Sequence, residues 1–94
     1  MFKALVACRA GVGSSLMLKI KVNEVIKENK LPFTIEHSSL DSVAGFDGQL
    51  LITLSDVAEE LKRTGVKQEV IGINNIVDKN EILTKLNDFL TKYN

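Results

Sequence analysis

Short apolar stretches recur along the chain and are separated by longer stretches of mixed polarity. Phe2–Ala7 is apolar apart from Lys3, which is typical of a strand that is covered on both faces in a parallel sheet. In Phe33–His37 apolar and polar residues alternate, which indicates a half-covered strand at a sheet edge. The pattern predicts the third and fourth strands at Gln49–Leu54 and Glu69–Ile73.

The segment Leu16–Lys30 has the spacing of an amphipathic helix. Its apolar side chains recur every three or four residues, and most of its charged side chains fall elsewhere. Pro32 cannot continue a helix and restricts the residue before it, so we expect the helix to end around Asn29–Leu31. The apolar positions are Leu18, Val22, Val25 and Ile26.

Two later helices are predicted from their start signals. In each, an aspartate is followed three residues later by a glutamate, at Asp56 with Glu59 and at Asp78 with Glu81. We expect the second helix to end before Gly65, because glycine is favoured just after a helix. The apolar stripe of the third helix is Ile82, Leu83, Leu86, Phe89 and Leu90.

The order of these elements predicts the fold class. Ser38–Gly48, rich in serine, aspartate and glycine, is expected to be a connection with at most a short helix near Asp41–Ala44. The remaining alternation predicts an α/β fold, with a four-stranded parallel sheet in the order 2-1-3-4 and helices on both faces, Rossmann-like, in a single domain over residues 1–94. Ligands of such sheets bind beyond the carboxyl ends of the strands where the winding direction changes. The first strand leads directly into Cys8, which we therefore expect at that point.

Composition and charge exclude several classes of function. The twelve basic and twelve acidic side chains cancel, so we expect neither nucleic acid nor an anionic membrane as a primary partner. No stretch approaches the roughly 20 apolar residues of a membrane span, and no direct membrane insertion is expected. The single cysteine excludes an internal disulfide and cysteine-based zinc sites, and we expect no metal or cofactor. A cytoplasmic location, where a thiol stays reduced, is predicted.

The segment after the first strand, C-x-x-G-x-G-S-S, places a thiol beside glycines, serines and a helix start. Backbone N–H groups around such a loop and the positive end of a helix dipole can bind a phosphoryl group and stabilise a thiolate. We therefore predict that Cys8 is a nucleophile that accepts a phosphoryl group. The blander interpretation is that Cys8 is a small buried apolar residue and the glycines only form a turn. The predicted phosphate-binding residues are Arg9, Ala10, Gly11, Val12, Gly13, Ser14 and Ser15.

Three other phosphate-binding loops fit this segment poorly. A Walker A loop requires Gly-Lys, which the chain lacks, and a dinucleotide loop requires glycine where Leu16 stands. A cysteine phosphatase loop, C-x5-R, requires arginine where Ser14 stands, and no Asp-Pro pair is present to supply a general acid. A loop that accepts a phosphoryl group but lacks the groups that transfer it to water suits a phosphoryl carrier. A cysteine phosphatase-like protein remains an alternative.

These residues resemble the IIB component of the phosphoenolpyruvate-dependent sugar phosphotransferase system, most closely the ascorbate-type IIB family. The resemblance covers nearly the whole chain. It rests on the strand and loop at Cys8, on Gly13–Val22 with its GSS and K-x-K-V run, and on Val70–Asn75. The loop element is shared with mannitol-type IIB domains and with IIB-like modules of transcription regulators.

The resemblance implies a relay in which Cys8 accepts a phosphoryl group from a phosphohistidine on IIA. Cys8 then passes it to sugar, of ascorbate type, held by the membrane component IIC. The alternative is a regulatory IIB-like module whose phosphocysteine is sensed by a partner. Arg9 departs from many relatives, which have a smaller or polar residue there, and its effect on the phosphocysteine or on partner choice stays open.

Leu16, Met17 and Ile20 enlarge the apolar surface at the start of the first helix beyond one core stripe. Either they dock IIA and IIC beside the Cys8 loop, or the helix is buried on a broad face. Thr53 and Ser55 end the third strand on the same rim as Cys8 and are candidate phosphate donors, with the alternative that Ser55 only helps to start the next helix.

Other polar residues receive plainer interpretations. His37 lacks a phosphohistidine motif and is expected to be exposed or to cap an element. Asn74 and Asn75 are expected in a turn.

Overall fold

A computed structural model describes residues 2–8, 14–39, 43 and 45–93, with the backbone alone at Cys8, Ser14, Ser15, Ser39 and Tyr93. The described residues form a β-α-β-β-α-β-α chain. Its elements are β1 (Phe2–Cys8), α1 (Ser14–Asn29), β2 (Phe33–Ser39), β3 (Leu50–Leu54), α2 (Ser55–Thr64), β4 (Glu69–Ile73) and α3 (Lys79–Tyr93).

All strand pairs of the sheet are parallel, and the strand order is β2-β1-β3-β4. β1 pairs with β2 along its whole length, from Phe2 opposite Phe33 to Cys8 opposite Ser39. The predicted fold class and strand order are therefore confirmed, and β2 is an edge strand as its alternating pattern indicated.

Helices cover both faces of the sheet because successive side chains of each strand point to opposite sides. On one face, α1 and α3 bury one core cluster, in which the rings of Phe2 and Phe33 lie 5.1 and 5.7 Å from the ring of Phe89. On the other face, Ala58 of α2 packs on Leu51 in a second cluster. Both faces of the central strands are buried, which explains why Phe2–Ala7 is nearly continuous in apolar residues.

The start of α2 differs from the prediction. α2 begins at Ser55, directly after β3, and its N-cap is Leu54, which makes no side-chain capping bond. The predicted Asp56 cap is therefore wrong. Asp56 lies in the first turn, where its carboxylate still favours the positive end of the helix dipole. The predicted end is confirmed by Gly65, whose φ of 76° follows the last turn.

The other boundaries shift by one or two residues. α1 begins at Ser14 rather than Leu16, consistent with the preference for serine at helix starts, and β2 continues to Ser39. The short helix predicted near residues 41–44 lies outside the described residues except for Val43, which is buried and accepts a hydrogen bond from the Phe46 N–H (3.1 Å).

Within the described part of the chain, no helix combines the length and the apolar character needed to cross a bilayer.

Candidate functional site

The carboxyl ends of the parallel strands meet at one edge of the sheet, which we call the carboxyl edge. β1 ends there at Cys8, between β2 on one side and β3 on the other. The chain continues from β1 to β2 in one direction and later crosses to β3 in the other, so β1 lies at the reversal of winding. In α/β sheets this is where ligands bind.

Five of the predicted phosphate-binding residues, Arg9, Ala10, Gly11, Val12 and Gly13, lie outside the described residues. Ser14 and Ser15 are the first two residues of α1, and their side chains are likewise not described. The N-terminus of α1 therefore follows the end of β1 at the carboxyl edge. The first turn of α1 contains no acidic residue, so no carboxylate of that turn neutralises the positive end of the helix dipole.

Leu16, Met17 and Ile20 lie outside the core. Their exposed fractions are 52%, 42% and 44%, against 1% for Leu18 in the same part of α1. Burial of these three side chains on a broad helix face is therefore not what the structure shows. They form an apolar surface at the start of α1, which we call the α1 patch.

The end of β3 contributes a buried polar group. Thr53 is 1% exposed, and its hydroxyl has no hydrogen-bond partner in the part of the chain that the structure describes. Thr53 pairs with Gly72 of β4. A Cβ added to Gly72 would lie 3.0 Å from the Ser55 Cα, so this side of the sheet faces the start of α2. Thr53 thus lies one residue before the carboxyl end of β3, with its side chain buried on the α2 side of the sheet.

A carboxylate that sequence reasoning interpreted only as a helix signal organises the turn between β4 and α3. Glu81 accepts hydrogen bonds from the Asn74 backbone N–H (2.8 Å), the Asn74 Nδ2 (3.0 Å) and the Asn75 backbone N–H (3.0 Å). Lys85 Nζ donates to the same carboxylate at 2.9 Å and also to the Gly72 carbonyl. The signal available in the sequence was the lysine four residues after Glu81, on the same helix face.

The pKa of Glu81 reflects this crowding of donors. Burial by itself raises the pKa of the carboxyl group, but the hydrogen bonds from Asn74, Lys85 and Asn75 outweigh burial and lower the pKa from 4.5 to about 2. The carboxyl group is therefore ionised at neutral pH. The predicted Asp78 cap is confirmed, because Asp78 Oδ1 accepts the Glu81 N–H at 3.1 Å.

The two remaining polar predictions agree with the structure. Asn74 and Asn75 lie in the turn after β4, and Asn75 Oδ1 accepts the Val77 N–H at 3.1 Å. His37 is exposed on β2, opposite Val6 of β1. Among the described residues, no three His, Cys, Asp or Glu side chains are grouped as metal ligands would be.

Residues 3–88 match the family described as "PTS system, Lactose/Cellobiose specific IIB subunit". The chain belongs to this IIB family. A IIB relative, the "Ascorbate-specific PTS system EIIB component" of Mycoplasma pneumoniae, is 29% identical over 87 residues, which are 92% of each chain. The IIB chain is also 31% identical over 85 residues to the "PTS system mannitol-specific EIICBA component" of Vibrio cholerae, covering 87% of its own length but 13% of that protein.

The fold of the IIB chain is also that of a solved relative. The lactose-specific IIB component domain from Streptococcus pneumoniae superposes with a TM-score of 0.59 at 21% identity, over 99% of this chain and 98% of that one. The predicted resemblance to IIB components is thus confirmed. IIB components are in general phosphotransferases that work with IIA and IIC partners, and membership of the family is consistent with phosphoryl transfer in a sugar phosphotransferase system.

Proposed function

We propose that this chain, as a single IIB domain, carries a phosphoryl group on Cys8 from the phosphohistidine of a IIA protein to a sugar held by a membrane IIC component. The observation that carries the proposal is the position of Cys8, the last residue of central β1, followed by the N-terminus of α1. It is the one thiol of the chain, and it lies where a sheet of this topology binds ligands.

In the first step the Cys8 thiolate attacks the phosphorus of the phosphohistidine. The P–S bond forms, the P–N bond breaks, and the electron pair of that bond returns to the imidazole nitrogen. In the second step a hydroxyl oxygen of the substrate attacks the same phosphorus, the P–S bond breaks, and the thiolate is restored. The hydroxyl proton leaves to a base on the IIC side. Charge on the transferred oxygens changes little in net terms, so fixed N–H donors can serve both steps.

The phosphate-binding role falls to the loop and helix start after Cys8. In this proposal the backbone N–H groups of residues 9–13 and the hydroxyls of Ser14 and Ser15 surround the phosphoryl group. The dipole of α1 adds a positive potential at its first turn, which contains no carboxylate. The same potential keeps the thiol ionised in the cytoplasm, where it stays reduced.

The α1 patch supplies the docking surface for IIA and IIC. Its three side chains are exposed, they lie in the first turns of α1, and α1 starts at the edge where β1 ends. Apolar side chains that are clustered on a surface and exposed to water favour a protein partner. The name of the Mycoplasma pneumoniae relative supports ascorbate as the transported compound.

The proposal is tested by incubating the protein with phosphorylated IIA components of ascorbate, lactose and mannitol type, followed by intact-protein mass spectrometry. We expect a gain of one phosphate from at least one donor, no gain in Cys8→Ser, and the full gain in the control Ser38→Ala on the neighbouring strand. A wild-type protein that stays unphosphorylated, or a Cys8→Ser variant that keeps the phosphate, would refute the proposal.

The acceptor is tested separately with the phosphorylated protein, labelled sugar and membranes that contain a IIC component. Transfer to ascorbate with ascorbate-type IIC is expected, and transfer only to another sugar would correct the substrate. Rapid loss of phosphate to water without IIC would identify a phosphatase. A stable phosphocysteine that no IIC component discharges would favour a regulatory module.

A further inference from the structure

Val77 is the most exposed of the large apolar side chains that the structure describes, with 59% of its surface in water. It lies in the turn between Ile73, the last residue of β4, and Lys79, the first residue of α3. That turn is at the carboxyl edge, where β1 also ends. An apolar side chain in this position contributes nothing to either core cluster.

The turn that carries Val77 is held in one shape. Glu81 binds the backbone N–H groups of both Asn74 and Asn75, and the Asn75 side chain accepts the Val77 N–H at 3.1 Å. The Asp78 N–H donates to the Asn75 carbonyl at 3.0 Å, which closes the turn after Val77. The exposed valine is therefore displayed by a hydrogen-bonded turn whose anchor is the Glu81 carboxylate.

The same turn is tied to α1. Lys79 Nζ lies 2.9 Å from the Glu28 carboxylate and 3.4 Å from the Glu24 carboxylate, and the hydrogen bond to Glu28 raises the pKa of Lys79. Ile20 precedes Glu24 by four residues and so lies one turn earlier on the same row of α1. Val77 lies two residues before Lys79, in the turn at the carboxyl edge. The ion pairs thus hold the start of α3 against the row of α1 side chains that contains Ile20.

The charges beside this surface favour a phosphorylated partner. Before Glu24, α1 carries Lys19 and Lys21 and no acidic side chain, and Lys21 Nζ lies 3.6 Å from the Glu24 carboxylate, which offsets its charge. The positive end of the helix dipole is added to the charge of Lys19. A protein that delivers a phosphoryl group has negative charge at the centre of its contact surface, which complements this end of α1. A neutral apolar partner would gain nothing from that potential.

We propose that Val77 extends the α1 patch into one docking surface for phosphorylated IIA, and that Glu81 is a positioning residue that fixes the turn carrying Val77. The inference rests on the proposed function. In this proposal Glu81 contacts neither the phosphoryl group nor the donor. It keeps Val77 in its bound position before the partner arrives, so the entropic cost of ordering the turn on binding is smaller.

The test uses steady-state transfer to this chain from the IIA component that phosphorylates the wild type fastest. Val77→Asp is expected to raise KM for phosphorylated IIA about tenfold and Val77→Ala about threefold, with kcat unchanged. Asn87→Asp adds the same charge at an exposed position of α3 and is the matched control, expected to leave KM unchanged.

The positioning role of Glu81 is tested by its coupling to Val77. Glu81→Gln is expected to raise KM about threefold in the wild-type background and to add little in the Val77→Ala background, since the contact it positions is then gone. If Glu81→Gln does not fold, Asn75→Ala, which releases the Val77 N–H, takes its place. If Glu81 had only a structural role, Glu81→Gln would lower stability by the same amount and raise KM by the same factor in the wild-type and Val77→Ala backgrounds.

Three outcomes overturn the inference. A wild-type KM in Val77→Asp removes Val77 from the docking surface, and so does a rise that Asn87→Asp reproduces. An equal rise from Glu81→Gln in both backgrounds removes the positioning role. A wild-type protein that no IIA component phosphorylates refutes the proposed function itself, whereas normal transfer to every variant refutes only this inference.

Discussion

Replacing Glu81 by glutamine is expected to weaken the fold strongly at neutral pH and much less in acid. The carboxylate is 15% exposed and accepts three hydrogen bonds from Asn74 and Asn75 and one from Lys85. Folding lowers its pKa from 4.5 to about 2. A pKa difference of this size, at about 1.4 kcal/mol per unit, corresponds to about 3 kcal/mol of stability at neutral pH.

The sign of the pH dependence follows from the direction of the pKa change. Because the pKa is lower in the folded chain, the Glu81 contribution is complete above about pH 5 and is lost as the pH falls towards about 2. By about pH 3 roughly 2 kcal/mol of it has been lost. Glu81→Gln has no proton to bind at this position. The stability difference between wild type and variant should therefore shrink by about 2 kcal/mol between about pH 7 and about pH 3.

The assay is urea denaturation followed by circular dichroism at a series of pH values, for wild type and Glu81→Gln. The control is Glu59→Gln, which removes the same charge from an exposed position of α2 and is expected to change stability by less than about 0.5 kcal/mol at neutral pH. A stability difference for Glu81→Gln that stays constant across the pH series would refute the reasoning. So would a neutral-pH cost below about 1 kcal/mol, since the hydrogen bonds to Asn74, Asn75 and Lys85 would then be worth little.

Three further predictions concern packing and docking. Gly72→Ala places a Cβ 2.9 Å from the Ala58 Cβ and 3.0 Å from the Ser55 Cα, so it should lower the free energy of unfolding in urea by about 1–3 kcal/mol. The control Gly45→Ala, whose Cβ would have no atom within 4 Å, should lower it little, and equal losses would contradict the close approach of α2 to β4. Phe89→Ala removes a buried ring, 3% exposed, that contacts Phe2 and Phe33, and should lower the free energy of unfolding by about 3–5 kcal/mol in the same assay. A loss below about 1 kcal/mol would show that α3 packs elsewhere. Met17→Glu should slow transfer from phosphorylated IIA at an unchanged melting temperature, because the side chain is 42% exposed; an equal loss of transfer and stability would indicate a core role instead.

The architecture was predictable because its signals are local or follow from chain order. Alternation and continuity of apolar residues distinguish the half-covered edge strand at Phe33 from the doubly covered strand at Phe2. Gly65 and Asp78 mark helix boundaries through hydrogen bonds that span three residues. The start of α2 was predicted wrongly because the signal used there was also purely local. A cap signal at Asp56 cannot reveal that β3 turns into a helix without any intervening loop.

The Glu81 network was not predictable at the same level. The sequence indicates Glu81 only as part of the helix start signal with Asp78. In the folded chain the carboxylate turns to Asn74 and Asn75, because the end of β4 brings their N–H groups to the first turn of α3. Lys85 joins because it also reaches the Gly72 carbonyl on the outer edge of β4, a partner that depends on how α3 lies against the sheet.

The sequence by itself determined the order of strands and helices, the parallel sheet and the position of Cys8 at the end of β1. Hydrophobic periodicity and glycine positions are local properties that mark each element, and the order of the elements along the chain indicates a parallel sheet. Only the tertiary structure decided that Leu16, Met17 and Ile20 face water and that the Thr53 hydroxyl is buried beneath α2. Exposure and burial depend on which elements pack together across the sheet. A residue's own neighbours in the chain do not contain that information.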